Sequence, residues 1–173
     1  MPWPVLTGSP IHVRLVAEPH DYRGDLLSGG PRGTPIDGAS FLRRREIVLD
    51  HALLRRPGRL ALILSHEVAH FAWTRLGNPL RWSYQTLLDQ ELRRSVPGEL
   101  GWPSALAKQR VTRRDRRMRS RVWRDYTAES FCDTFAWLCS GVRRHADWTL
   151  PDAARRNRRA WFRSSGLLRT LPV

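Results

Sequence analysis

The chain predicts an α+β fold, with a small antiparallel or mixed sheet near the N-terminus and a mostly helical part after it. Three observations carry this. Strand-like segments fall within the first fifty residues, where Gly and Pro punctuate them. Beyond Pro57 the apolar residues recur with helical spacing, in segments closed by Pro–Gly or Gly. The length of 173 residues, 41% hydrophobic with 8 Trp, suits one domain spanning 1–173 with a sizeable core.

In chain order, Ile11–Ala17 reads as a strand, with His12, Arg14 and Val16 alternating against Val13 and Leu15. Residues 23 to 38 hold five Gly and two Pro and read as a long loop. Residues 39 to 50 offer strand material in two pieces around Arg43–Arg44–Arg45, and the arginines suggest an exposed edge. His51–Arg56 starts a helix that Pro57–Gly58 interrupts. The apolar segment from Leu60 to Leu76 then forms a helix ended by Gly77–Asn78–Pro79. Further helices are expected over Leu80–Val96, Pro103 to about Met118, Tyr126–Ser140 and Asp152–Ser164.

The formal net charge is +14, and of the 30 basic residues only Lys108 is a lysine. Such a chain invites a nucleic-acid reading. The densest run is Gln109–Arg124, with eight Arg in sixteen residues and Trp123 as its lone aromatic. Without stacking or base-reading features, a solvated helix face is favoured over a recognition surface, so nucleic acid is a possible partner and not the favoured one. Cys132 and Cys139 lie about 10.5 Å apart along a shared helix, beyond disulfide reach. They are expected to be buried free thiols in a reducing compartment. No apolar run is long enough to span a bilayer and no signal-peptide pattern opens the chain, so a cytoplasmic protein with no membrane partner is expected.

The chemistry concentrates in His66, Glu67 and His70, the pattern H-E-x-x-H. Residues four apart share a helix face, so two imidazoles can hold one metal ion, most often zinc. Glu67, about 100° further round, is placed to take a proton from an attacking water. The surrounding segment is apolar on nearly every side, as in a buried helix. Two His and a Glu there are costly unless something satisfies them.

This segment resembles the active-site helix of the zincin metallopeptidases. The resemblance implies a zinc-dependent hydrolase with His66 and His70 as ligands, Glu67 as general base, and a peptide or protein substrate laid along an edge strand before the helix. It also implies a third ligand downstream. A metzincin extension would place a histidine at position 76, which is Leu76. The gluzincin pattern E-x-x-x-D is matched by Glu129 and Asp133. It implies Glu129 as ligand and Asp133 as the residue orienting His66 in the second shell. An aspzincin-like arrangement would make Asp133 the ligand, and His145 is the remaining histidine beyond His70. On a helical wheel Asp133 and Tyr126 fall within about 60° of Glu129, while Phe131 and Phe135 point away toward a core. Tyr126 is therefore the expected oxyanion stabiliser, with Tyr84 and His145 as alternatives. The competing readings are a basic nucleic-acid-binding module with a structural metal, and an inactive regulator that keeps the fold.

Overall fold

The computed structural model describes residues 3–22, 25–28 and 33–173. Its architecture is α+β. Among the described residues seven short strands come first, six α-helices follow, and an eighth strand comes last.

The principal sheet has the order β2 (His12–Val16), β7 (Glu46–Asp50), β6 (Gly38–Phe41). It is mixed: β2 runs parallel to β7, and β6 pairs with β7 antiparallel. The central strand carries the apolar run Ile47–Val48–Leu49, all buried, as a strand flanked on both sides must be. Arg43 and Arg44 lie in the turn between β6 and β7, and Arg45 closes it with φ 51°. The exposed edge expected from these arginines is therefore a hairpin turn. Arg45 is held there by donating to the carbonyls of Pro10 and Ser9. Val13 and Leu15 are exposed although they alternate with polar residues, because β2 is the outer strand.

The expected long loop over 23–38 contains two strands. β3 (Pro19–Tyr22) pairs with β4 (Asp25–Ser28) on one side and β5 (Thr34–Pro35) on the other. Residues 23–24 and 29–32 of that stretch lie outside the described residues. A parallel pair, β1 (Val5–Thr7) with β8 (Thr170–Pro172), ties the two ends of the chain together.

After a 3-10 turn over His51–Arg55, α1 runs from Pro57 to Arg75. Pro57 begins this helix; it does not interrupt one, since a missing N–H is harmless at N1. Pro79 likewise lies in the first turn of α2 (Asn78–Arg93). The single helix expected over 103–118 is two, α3 (Trp102–Gln109) and α4 (Arg113–Met118). They divide where Thr112 and Asp115 form a reciprocal capping box for α4. α5 (Arg121–Cys139) starts five residues earlier than expected because Ser120 caps it. α6 spans Asp152–Ser164.

α1 and α5 pack face to face, and one side of their seam is filled by Phe131, Phe135, Phe162, Tyr84 and Trp73. The Phe131 and Phe162 rings stack at 5.0 Å. Truncating a buried Phe of this kind costs about 3–5 kcal/mol. The other side of the seam carries the polar residues of the candidate site.

Candidate metal centre

His66 and His70 stand one turn apart on α1, with their Nε2 atoms 3.1 Å from each other. The ring centroids are 4.9 Å apart at 73°, so both rings lean toward a common point. α5 supplies Glu129 to that point: Oε2 lies 3.4 Å from His66 Nε2 and Oε1 lies 3.9 Å from His70 Nε2. Donors around a tetrahedral zinc at about 2.0–2.1 Å sit about 3.3 Å apart, which is the scale of this cluster.

Asp133, one turn beyond Glu129, reaches the opposite side of the His66 ring. Its Oδ1 lies 2.8 Å from His66 Nδ1. Its Oδ2 accepts the backbone N–H of Ser104, in the first turn of α3, at 3.0 Å. The positive end of α3 thus faces a carboxylate. A Cβ at Gly101, the residue before α3, would collide with the Asp133 carboxyl, so glycine is what lets the two helices meet there. With Nδ1 donating its proton to Asp133, the lone pair of His66 is left on Nε2, toward His70 and Glu129. Both Asp133 oxygens are engaged on the Nδ1 side, away from the point where the three other groups converge.

Glu67, on α1, faces strand β6. Its Oε2 accepts a hydrogen bond from Ser40 Oγ at 2.6 Å. Gly38 allows β6 this close to the helix, since a Cβ there would stand 2.9 Å from both Ile63 Cγ2 and Leu49 Cδ2. A cleft of about 310 Å³ runs along β6 and is lined by Ala39, Ser40, His66, Glu67, His70 and Glu129. It adjoins a deeper chamber of about 380 Å³ on the other side of His66 and Glu67. The chamber walls include Leu62, Ile63, Ala136, Trp102 and Trp148, with His145 and Asp147 also lining it.

Burial alone would keep His66 neutral. The carboxylates of Asp133, Glu129 and Glu67 outweigh it and push the imidazole well above its usual range. Two imidazoles and a carboxylate aimed at one point, in an acidic buried cluster, fit a borderline divalent ion such as zinc.

The structure therefore brings His66, Glu67, His70, Glu129 and Asp133 together. It does not bring Tyr126. That side chain is fully buried and donates its hydroxyl to Glu99 at 2.7 Å, so an oxyanion role does not fit it. The wheel put Tyr126 near Glu129, but the buried Glu99 takes its hydroxyl. Tyr84 is also buried and donates to the Ser130 carbonyl at 3.0 Å. Of the three candidates only His145 lines the chamber, its Nδ1 3.6 Å from Asp147 Oδ2.

Three contributors were not anticipated from sequence. Ser40 and Gly101 carry no motif signal, because their roles arise from distant packing. Cys132 had one: it stands three residues after Glu129, on the same face of α5. The ligand atoms of His66, His70 and Cys132 all lie within 4.8 Å of one another. Burial, then the charges of Glu129, Asp133 and Glu67, push this thiol well above its usual pKa.

No protein-family model, no curated protein and no solved structure matches this chain.

Proposed function

We propose that this protein is a zinc-dependent peptidase of gluzincin type, in which His66, His70 and Glu129 hold the metal and Glu67 is the general base. The observation that supports it most is the convergence of the two Nε2 atoms and the Glu129 carboxylate within 3.1–3.9 Å, beside a cleft that Glu67 also lines. Zinc in such a site supplies Lewis acidity toward a scissile carbonyl and toward an attacking water.

The chain's own residues do the rest. Asp133 fixes the His66 tautomer and raises its basicity. Glu67 takes the proton from the attacking water and delivers it to the leaving amine. Ser40 holds the Glu67 carboxylate in one direction. β6 is an edge strand, so its free backbone groups suit an extended peptide added as a further strand. A side chain of that peptide would enter the apolar chamber. His145, backed by Asp147, is the group available in the chamber to donate a hydrogen bond to the developing oxyanion.

Among the described residues no helix is long and apolar enough to cross a membrane. Two buried thiols suit a reducing compartment such as the cytoplasm.

The test is metal content by mass spectrometry together with digestion of a peptide library. His66→Ala, His70→Ala and Glu129→Ala should each lose tight zinc and cleavage. Glu67→Gln should keep zinc and lose cleavage. A purified wild-type chain that takes up no metal would exclude this function.

A further inference from the structure

A cleft of about 610 Å³ opens between α2 and α4 and shares no lining residue with the cleft or the chamber at the metal centre. Five arginines line it: Arg93 from α2, Arg113, Arg116 and Arg117 from α4, and Arg119, the C-cap of α4. Asp89 is the one carboxylate among its lining residues. Asp89 Oδ2 accepts from Arg93 at 2.6 Å and Oδ1 accepts from Arg116 at 2.8 Å, so a single acid holds two guanidinium groups side by side. Among the described residues the side chains of Arg113 and Arg117 make no hydrogen bond or ion pair, and both are exposed.

The spacing of Arg113, Arg116 and Arg117 puts all three on one face of α4. Like charges three and four apart disfavour a helix. α4 forms regardless because both its ends are held. Thr112 and Asp115 make the capping box at its start, and Ser120 Oγ, just past its end, donates to Asp115 Oδ1 at 2.7 Å. The acid within α4 is thus spent on the caps, and the arginine face is left with Asp89 alone. A concave surface lined by one sign of charge focuses its field on a counter-ion.

We propose that this cleft binds a compact anion carrying two or more linked phosphate groups, as an inorganic polyphosphate or a nucleoside polyphosphate presents them. A guanidinium offers a planar fork that meets phosphate oxygens two at a time. Two such forks are fixed by Asp89 and two more stand unpaired across from them, so a chain of phosphates reaches groups that a single phosphate cannot bridge. Trp123, the aromatic among the lining residues, is buried and gives a base nothing to stack on, so the phosphates are what is recognised. The site is independent of the metal centre.

Inorganic tripolyphosphate is titrated into the full chain by calorimetry at about 0.15 M salt, where distant charges are screened. One equivalent should bind, about tenfold or more tightly than orthophosphate. A nucleoside triphosphate in the same titration separates the sources: whichever of the two binds tighter names the ligand, and either supports the site. Arg113→Gln with Arg117→Gln should weaken tripolyphosphate by about tenfold or more. Arg156→Gln with Arg163→Gln removes as much charge from exposed positions on α6 and should change affinity by less than about threefold. Glu129→Ala should bind like the wild type, which excludes chelation of a metal as what the titration reads. Uptake of several equivalents without saturation, equal losses in the two double variants, or lost binding in Glu129→Ala overturns the inference. So does a probe no tighter than orthophosphate while duplex DNA depends on Arg113 and Arg117, since the cleft would then follow a nucleic-acid backbone. Stoichiometry and the preference over orthophosphate are read on the wild-type chain, so the inference can fail without any variant.

Discussion

Ser40 Oγ donates to Glu67 Oε2 across 2.6 Å and so ties the edge strand β6 to the helix that carries the histidines. The same hydroxyl lies 2.9 Å from the Glu67 backbone carbonyl, so Ser40 touches both the main chain and the side chain of this helix residue. If Glu67 is the base, its carboxylate must point at the attacking water, and the Ser40 bond sets that direction. A hydrogen bond to a charged group contributes about 1.5–3 kcal/mol, or roughly ten- to a hundredfold in rate if it is realised mainly in the transition state. Ser40→Ala should lower kcat by that factor with KM nearly unchanged, and Ser40→Thr should restore most of it. Steady-state kinetics on a cleaved library peptide decides. An unchanged kcat in Ser40→Ala would separate Ser40 from the chemistry.

The second prediction concerns stability and pH. Arg158 is fully buried on α6. Its guanidinium pairs with Glu91 at 2.6 Å and Glu99 at 2.7 Å, and Lys108 lies 3.3 Å from Glu99. Burial alone would raise the Glu99 pKa. The charge and hydrogen bonds of Arg158, with the Lys108 charge and the Tyr126 hydroxyl, together outweigh burial and lower it below the ordinary 4.5. The sign follows: a depressed folded-state pKa contributes stability that is present above about 4.5 and lost as pH falls through the folded value. Removing Arg158 leaves two buried carboxylates with one fewer cation. Arg158→Met should therefore cost about 3–5 kcal/mol at neutral pH, and less near pH 4, where the carboxylates can protonate. Urea unfolding at both pH values measures it. An equal loss at both would mean that the pair is not what stabilises this corner.

The third prediction concerns the arginine-rich surface. Trp123, the aromatic within the basic run, is buried and offers no stacking platform. Arg116 is paired with Asp89 at 2.8 Å. Arg119 lies over the ring of Trp82, which is 49% exposed. Charge without base-reading groups gives backbone contacts alone. Binding to duplex DNA should be indifferent to sequence, with a slope of log K against log salt of about −0.9 per phosphate contacted. Anisotropy titrations across salt, with two unrelated sequences, test this. Salt-resistant, sequence-selective binding would make nucleic-acid recognition the leading function.

Much of this molecule was legible beforehand for identifiable reasons. His66, Glu67 and His70 were readable because a single helix fixes their spacing. Glu129 and Asp133 were singled out through the resemblance, whose E-x-x-x-D pattern they match, and the structure brings them to the histidines. α6 was bounded correctly by Pro151 and the apolar stripe of Ala154 and Phe162. What could not be read depends on contacts between distant segments. The burial of Tyr126 follows from Glu99, 27 residues away, and that of Arg158 from Glu91, 67 residues away. The β1–β8 pairing joins opposite ends of the chain and has no local signature. The division of α3 from α4 was in the sequence, as the Thr112–Asp115 capping box, but the surrounding arginines resemble a continuous helix.

The last prediction separates a ligand from the group that orients one. Asp133 touches His66 on Nδ1, while Glu129 faces the Nε2 side. Asp133→Asn still offers an oxygen to the Nδ1–H but removes the negative charge that raises imidazole basicity. Zinc affinity should fall by roughly 10- to 100-fold and not vanish. Gly101→Ala tests the same arrangement from outside the centre. Its Cβ would intrude on the Asp133 carboxyl, so the carboxylate must shift from both His66 and the Ser104 N–H. It should weaken zinc at least as much as Asp133→Asn, although residue 101 carries no donor of its own. The double variant should then be close to the worse of the two singles, because both act through one carboxylate. Competition titrations against a chelator measure all three. A loss in Asp133→Asn as complete as in His66→Ala would move Asp133 into direct contact with the metal. Full additivity in the double variant would show that Gly101 acts on α3 packing and not through Asp133.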